Sequence, residues 1–137
     1  MDSVARFARA YGDAWAASDT ESFVALFAPD AVYRDDQVGR LNRGHDDLRA
    51  FHAHFVAAIS DIRMDFSRAF RSGDDVCLEW QFSGRQTGTY HGRAPTGVAF
   101  RAQGVALMRL APDGRIAQVI DYYDSAGVRQ QLGDGTP

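Results

Sequence analysis

The stretch VAFRAQGVALMRLAPDGRIAQVIDYY, residues 98–123, carries the pattern that decides the fold. Its side chains alternate on both sides of Asp113-Gly114, a dipeptide typical of the turn in a β-hairpin. The alternation predicts antiparallel strands over residues 97–110 and 115–123. Upstream, the same period of two predicts strands near residues 62–71 and 75–87. The second half of the chain is therefore predicted to form a four-stranded antiparallel sheet.

The first half of the chain has the helical period of 3.6 residues instead. Residues 2–17 form the first predicted helix, with Val4, Phe7, Ala8, Tyr11 and Trp15 on its apolar face. Asp19 is placed to cap a second, short helix that Pro29-Asp30 ends. A brief extended segment over residues 31–33 then leads into a polar loop over residues 34–44.

A third helix is predicted after this loop, with Asp46 or Asp47 near its positive N-terminus. Its apolar stripe holds Leu48, Phe51, His52, Phe55 and Ile59. His54 falls on the opposite face, where we expect it to meet solvent, and His45 is expected in the entry turn.

Helices followed by strands predict an α+β fold, in which the helices cover one face of a twisted antiparallel sheet and leave a cone-shaped interior. With 137 residues the chain is long enough for one domain and too short for two ordinary ones. We expect a single domain over residues 1–137, with a flexible tail at residues 134–137.

The inward faces of the strands are predicted from their parity. Phe100, Ala102, Gly104, Ala106 and Met108 share the face toward the helices, as do Trp80 and Phe82 in the strand before. The small residues of this set either leave room for a pocket or allow a strongly bent sheet. The outer face is also largely apolar, so we expect it to pack on a second copy of the protein.

Asp121 is the anomaly of the last strand, because it shares its parity with Ala117, Val119 and Tyr123. Burial among apolar side chains would raise its pKa and make it a proton carrier near neutral pH. Alternatively, it meets water at the mouth of the pocket or pairs with an arginine.

Composition limits the classes of partner. A net charge of −3 without a basic stripe argues against nucleic acid, and no apolar run is long enough to span a membrane. The single Cys77 is expected to be a buried thiol in a reducing compartment, and a cytoplasmic location is predicted. No paired-histidine spacing, glycine-rich phosphate loop or cysteine pair points to a metal or organic cofactor.

Two regions resemble the SnoaL-like polyketide cyclase family of the nuclear transport factor 2-like fold. They are YHGRAPTG at residues 90–97 and the segments DGRI and DYYD at residues 113–116 and 121–124. FVALFAPDAVY at residues 23–33 is similar to a signature shared with ketosteroid isomerases. The resemblance implies a curved sheet of four to six strands that wraps as a barrel around three helices and encloses an apolar pocket. It also implies an enzyme of secondary metabolism without cofactors, in which Asp121 is the acid/base of an intramolecular aldol closure.

The ketosteroid isomerases add two candidates, because their oxyanion-binding tyrosine and proton-abstracting aspartate match Tyr11 and Asp35. Their third catalytic residue matches Ala106, which argues against the steroid-type reaction. Glu79 and Gln81 do not reproduce the catalytic set of the limonene epoxide hydrolases. The alternatives to a cyclase are an isomerase or dehydratase, an epoxide hydrolase, and a non-catalytic ligand-binding or dimerisation module.

The predicted site has two groups of residues. The catalytic candidates are Asp121, Asp35 and Tyr11. The residues expected to shape the pocket for a mostly apolar, polyketide-like substrate are Trp15, His52, Phe55, Trp80, Phe82, His91, Met108 and Tyr123.

Overall fold

A computed structural model describes residues 3–17, 19–37 and 39–133. The predicted fold class is confirmed, because the fold is α+β with helices on one side of a curved sheet. In chain order the elements are α1 (Ser3–Ala16), α2 (Thr20–Val24), β1 (Phe27–Asp35), β2 (Arg40–Arg43), α3 (Gly44–Ala58), β3 (Ile59–Ser72), β4 (Asp75–Gln86), β5 (Ala99–Leu110), β6 (Ile116–Tyr123) and α4 (Ser125–Gln131).

The six strands form one curved sheet in the order β2-β1-β6-β5-β4-β3. Neighbouring strands are antiparallel except β1 and β6, which are parallel. The sheet stays open, with β2 and β3 at its edges, so the predicted barrel is an unclosed half-cone. The helices occupy its concave side, where α1 packs against β3 and α3 packs against β1.

Three predicted boundaries were wrong. The polar loop at residues 34–44 contains the end of β1 and all of β2, because polar residues occupy both faces of this hairpin and no hydrophobic alternation marks it. Ile59 begins β3 instead of ending α3, and its buried side chain suits either assignment. A short helix, α4, follows the sheet, and Asp124 caps its first turn by accepting from the Gly127 N–H. The predicted tail at residues 134–137 lies outside the described residues.

The predicted inward faces of β4 and β5 are confirmed, since Leu78, Trp80, Phe82, Phe100 and Met108 are all buried. In β6 the prediction holds for Val119 but fails for Ile116, which is fully buried. A bulge opposite Arg109 and Leu110 adds one residue to β6, so that its first residue turns back toward the core.

The concave face is less hollow than its small residues suggested. Ala106 is fully buried. Gly104 lies between Trp80 and Tyr123 on the neighbouring strands, and a Cβ atom there would lie 2.7 Å from the Trp80 ring and 2.8 Å from the Tyr123 Cβ. The missing side chain of Gly104 therefore makes space for two aromatic rings, while Ala102 borders open volume.

Candidate active site

A cavity of about 360 Å³ lies between the helices and the concave face of the sheet. Most of its wall is aromatic. Of the residues predicted for the site, those that line it are Tyr11, Trp15, Asp35, Phe55, Trp80, Phe82, His91, Asp121 and Tyr123. Nine of the eleven predicted residues therefore lie on the wall, although their roles stay predictions.

Asp121 ends a chain of hydroxyl groups at the deep side of the cavity. The Tyr33 hydroxyl donates to the Asp121 carboxylate, and the Tyr11 hydroxyl donates to the Tyr33 oxygen at 3.5 Å. Tyr33 is buried and was not predicted to belong to the site. Tyr33 and Asp35 are two residues apart in β1 and point to the same face, and this alternation could have identified Tyr33. The predicted extended segment ended at Tyr33, however, so Asp35 was not placed on the same strand.

The pKa of Asp121 is raised to about 7, chiefly because burial disfavours the charged carboxylate. The negative charge of Asp35 raises the pKa further, whereas hydrogen bonds from Tyr33 and Trp80 lower it. No described arginine forms a salt bridge with Asp121, so the predicted alternative of an arginine pair is not seen among those residues. A carboxyl group with this pKa can both accept and return a proton near neutral pH.

Asp35 lines the same cavity and is paired with a second tyrosine, Tyr123. The Tyr123 hydroxyl donates to Asp35 Oδ2 at 2.5 Å, and Asp35 Oδ1 is buried without a hydrogen-bond partner among the described residues. Burial and the bonded carboxylate together raise the pKa of Tyr123 far above its usual value, which keeps the phenol protonated. Two tyrosine–carboxyl pairs thus lie side by side.

His52 lies outside the cavity, contrary to prediction. It is fully buried between α1, α2 and α3, where its ring stacks on Phe23 at 4.4 Å. Its Nε2–H donates to the Ala14 carbonyl at 3.2 Å, and Nδ1 accepts from the Thr20 hydroxyl at 2.9 Å. Burial lowers the pKa of His52, so this neutral histidine joins three helices.

Met108 also lies outside the cavity, because β5 carries its inward side chains past the end of the open volume. Its side chain is buried in the core, 2% exposed. Inward parity alone does not distinguish a residue that lines a cavity from one that fills the core beside it.

His54 lines the cavity, although the period of α3 had placed it toward solvent. The loop between β4 and β5 folds over this face of the helix, where Tyr90 stacks against the His54 ring at 6.0 Å. The helical pattern could not show this contact, since it depends on a loop 36 residues further along the chain. Residues of the wall that were not predicted include Tyr33, Arg40, Phe51, His54, Met64, Tyr90, Arg93, Phe100, Ala102 and Val128.

The sequence model of the SnoaL-like polyketide cyclases matches residues 5–132. The chain belongs to this family. Among curated proteins, none matches the sequence. Solved structures nevertheless share its fold closely.

One structural neighbour is a Catenulispora acidiphila protein of ketosteroid isomerase-like fold, solved in complex with trimethylamine. It is 28% identical, with a TM-score of 0.79 over 94% of this chain and 95% of its own. TsrD from Streptomyces laurentii is 24% identical, with a TM-score of 0.81 over 98% of each chain. A proposed SnoaL-like polyketide cyclase from Shewanella denitrificans is 18% identical, with a TM-score of 0.83 over 94% of this chain and 96% of its own.

The residues of this SnoaL-like site are suited to proton transfer. Within residues 3–17, 19–37 and 39–133, no group of three or more His, Cys, Asp or Glu side chains is placed to hold a metal ion. None of the helices described is long and apolar enough to cross a membrane. The groups of the cavity wall that can act on a bound molecule are two carboxyls, four tyrosines and the basic residues near His91.

Proposed function

We propose that this protein catalyses proton transfer next to a carbonyl group, and that its reaction is a polyketide-type intramolecular aldol closure. The observation that carries the proposal is the Asp121 carboxyl, with a pKa of about 7, inside a mostly aromatic cavity. The family supports a cyclase in general terms, while the substrate and the individual steps are inferences from the site.

In the proposed reaction, the Asp121 carboxylate removes a proton from the carbon next to a substrate carbonyl. The resulting enolate carbon attacks a second carbonyl carbon of the same molecule, which forms the ring bond and an alkoxide. The alkoxide then takes the proton back from the Asp121 carboxylic acid. The substrate and its cyclic product are isomers, so no other reactant is consumed.

Tyr33 supports this cycle because its hydrogen bond favours the ionised form of Asp121 and fixes the carboxylate. Tyr11 donates to Tyr33, so we assign it a supporting role in place of direct contact with the enolate. Asp35 with Tyr123 is proposed as the second proton carrier. The aromatic wall limits water near the enolate, which strengthens these interactions.

An isomerase or dehydratase is the second candidate, because Tyr11 and Asp35 line the same cavity. Ala106 lies directly opposite Asp121 on β5 and is fully buried, so it offers no acid for a steroid enolate. We therefore rank the aldol closure first.

We also propose that the outer face of the sheet forms a homodimer. Leu107 and Tyr122 are 43% and 47% exposed there. The register places Leu107 beside Cys77 and Ile120, and Tyr122 beside Val105, which makes one continuous apolar area.

The experiment uses an aryl 1,3-diketone that carries a third ketone placed for closure of a six-membered ring. Chromatography follows the cyclic product, and NMR in D₂O follows deuterium at the acidic carbon. We expect catalysis by the wild-type protein and a loss of at least about 100-fold in Asp121→Asn. Asp36→Asn is the control, since Asp36 is exposed and paired with Arg34. No rate above buffer, or full activity in Asp121→Asn, would refute the proposal.

A further inference from the structure

Basic residues gather at the side of the cavity formed by β2 and the loop after β4. Arg40, on β2, donates from its guanidinium to His91 Nδ1 at 2.9 Å. A guanidinium has only donors, so Nδ1 is the acceptor and the neutral His91 ring carries its proton on Nε2. Burial and the nearby charges of Arg40, His54 and Arg93 lower the pKa of His91 to about 4, which agrees with a neutral ring.

Among the described residues, Arg40 has no carboxylate partner, although its position would allow one. Asp35 lies directly across the hairpin from Arg40, yet no salt bridge joins them, and Asp35 Oδ2 accepts from Tyr123. Instead, the Arg40 guanidinium lies 6.0 Å from the centre of the Phe51 ring. A half-buried cation without a bonded anion leaves its donors available to a ligand.

The turn that carries His91 directs it to this place. Tyr90 and Arg93 exchange backbone hydrogen bonds of 3.0 and 2.9 Å around His91 and Gly92, and both central residues have positive φ, 49° and 78°. Such a turn suits Asn or Gly, and a histidine adopts this conformation only with some backbone strain. The turn holds the His91 ring beside Arg40.

Two further observations favour an anion here. The centres of the His54 and His91 rings are 5.0 Å apart. The Nε2 atom of His54 is buried and has no hydrogen-bond partner among the described residues. Asp121, which lines the same cavity, is partly protonated near neutral pH, and this lessens the negative charge that would repel a bound anion.

We infer that Arg40, held in place by His91, binds a carboxylate group of the substrate in the cavity. The substrate is then an apolar carbonyl compound that also carries a carboxylic acid. Arg40 supplies the charge and two parallel donors, and its hydrogen bond to His91 Nδ1 fixes the guanidinium. The carboxylate fixes which substrate carbon faces Asp121. This inference rests on the proposed function only in taking the same cavity as the substrate site.

Calorimetric titration with 2-naphthoate and its neutral isostere 2-naphthamide tests the inference without requiring catalysis. At pH 7.5 we expect the wild-type protein to bind naphthoate at least about tenfold more tightly than naphthamide. Arg40→Gln should lower the affinity for naphthoate about tenfold and change the affinity for naphthamide less than about twofold. Arg34→Gln is the matched control, because Arg34 lies on the same hairpin but pairs with Asp36.

If Arg40→Gln does not fold, His91→Ala is the second variant. It should lower the affinity for naphthoate and leave the affinity for naphthamide nearly unchanged. Equal affinity for the two probes, no binding of either at millimolar concentration, or unchanged naphthoate binding in both variants would overturn the inference. Asp121→Asn should retain the preference for naphthoate. In the wild-type protein, a preference for naphthoate without diketone turnover would refute the proposed reaction alone, and diketone turnover without that preference would refute the carboxylate site alone.

Discussion

The Tyr33 hydroxyl on β1 donates to the Asp121 carboxylate on β6, across 88 residues of sequence. The parallel register of these strands repeats the relationship two residues later, where Tyr123 donates to Asp35 across the same separation. A Tyr-x-Asp segment thus faces an Asp-x-Tyr segment. Each carboxyl accepts a hydrogen bond from a tyrosine hydroxyl, and both pairs lie on the cavity wall.

Loss of the Tyr33 hydroxyl should raise the pKa of Asp121 above 7. The hydrogen bond stabilises the ionised carboxylate, so Tyr33→Phe is expected to raise that pKa by about one unit. Carbon-detected NMR titration of labelled aspartate measures the change. Tyr122→Phe, on the exposed outer face, should leave the Asp121 titration unaltered. A lower pKa in Tyr33→Phe would contradict this reading of the hydrogen bond.

Asp121→Asn should stabilise the protein in a pH-dependent way. Because the folded state raises this carboxyl pKa from 3.8 to about 7, it binds more protons than the unfolded state between these values. The wild-type protein therefore loses stability as pH rises from about 4 to 7, and the variant lacks that loss. Urea unfolding at pH 4 and pH 8 should show a relative gain at pH 8 of at most about 4 kcal/mol. A gain of the same size at both values would count against a raised pKa, and Asp36→Asn should show no such gain.

Replacing either of two α3 histidines, His52 or His54, by alanine should change the stability of the protein by different amounts. His52→Ala removes the stacked ring and both hydrogen bonds between helices, so we expect the free energy of unfolding to fall by about 2–4 kcal/mol. His54→Ala removes a ring from the cavity wall and should cost clearly less. Thermal and urea unfolding of the two variants measure the difference. Equal losses would mean that the helix-joining role of His52 is overstated.

Gly104→Ala should distort the aromatic wall. The new Cβ would lie 2.3 Å from the Tyr122 carbonyl oxygen and 2.7 Å from the Trp80 ring, and the backbone contact cannot be relieved by a rotamer change. We expect a loss of about 1–3 kcal/mol in stability and a shifted tryptophan emission spectrum. Wild-type stability together with wild-type emission would show that the sheet accommodates the methyl group.

Charge placed on the outer face should separate the proposed dimer. Leu107→Glu introduces a carboxylate into the apolar area formed with Cys77 and Ile120. Sedimentation equilibrium should give twice the chain mass for the wild-type protein and the chain mass for the variant. Gln130→Glu, exposed on α4, is a control for added charge. A monomeric wild-type protein would refute the dimer.

Local sequence patterns were enough to predict the strands in the second half of the chain and most of their inward-facing residues. Alternation marked Trp80, Phe82 and Val119 as inward residues, and it singled out Asp121 as a carboxyl on an apolar face. These features depend on a period of two and on one hairpin turn, which neighbouring residues determine among themselves. Similarity to a known family added Asp35 and Tyr11, and both line the cavity.

Only the tertiary structure decided which groups meet across the cavity. Tyr33 reaches Asp121 because β1 pairs with β6 in parallel, and His91 reaches Arg40 because a loop folds over α3, 51 residues along the chain. The same period of 3.6 residues placed His52 and His54 on opposite faces of one helix, yet packing buried the first and opened the second to the cavity. Residue spacing determines the face of an element, whereas the contacts of that face depend on distant segments that no local period records.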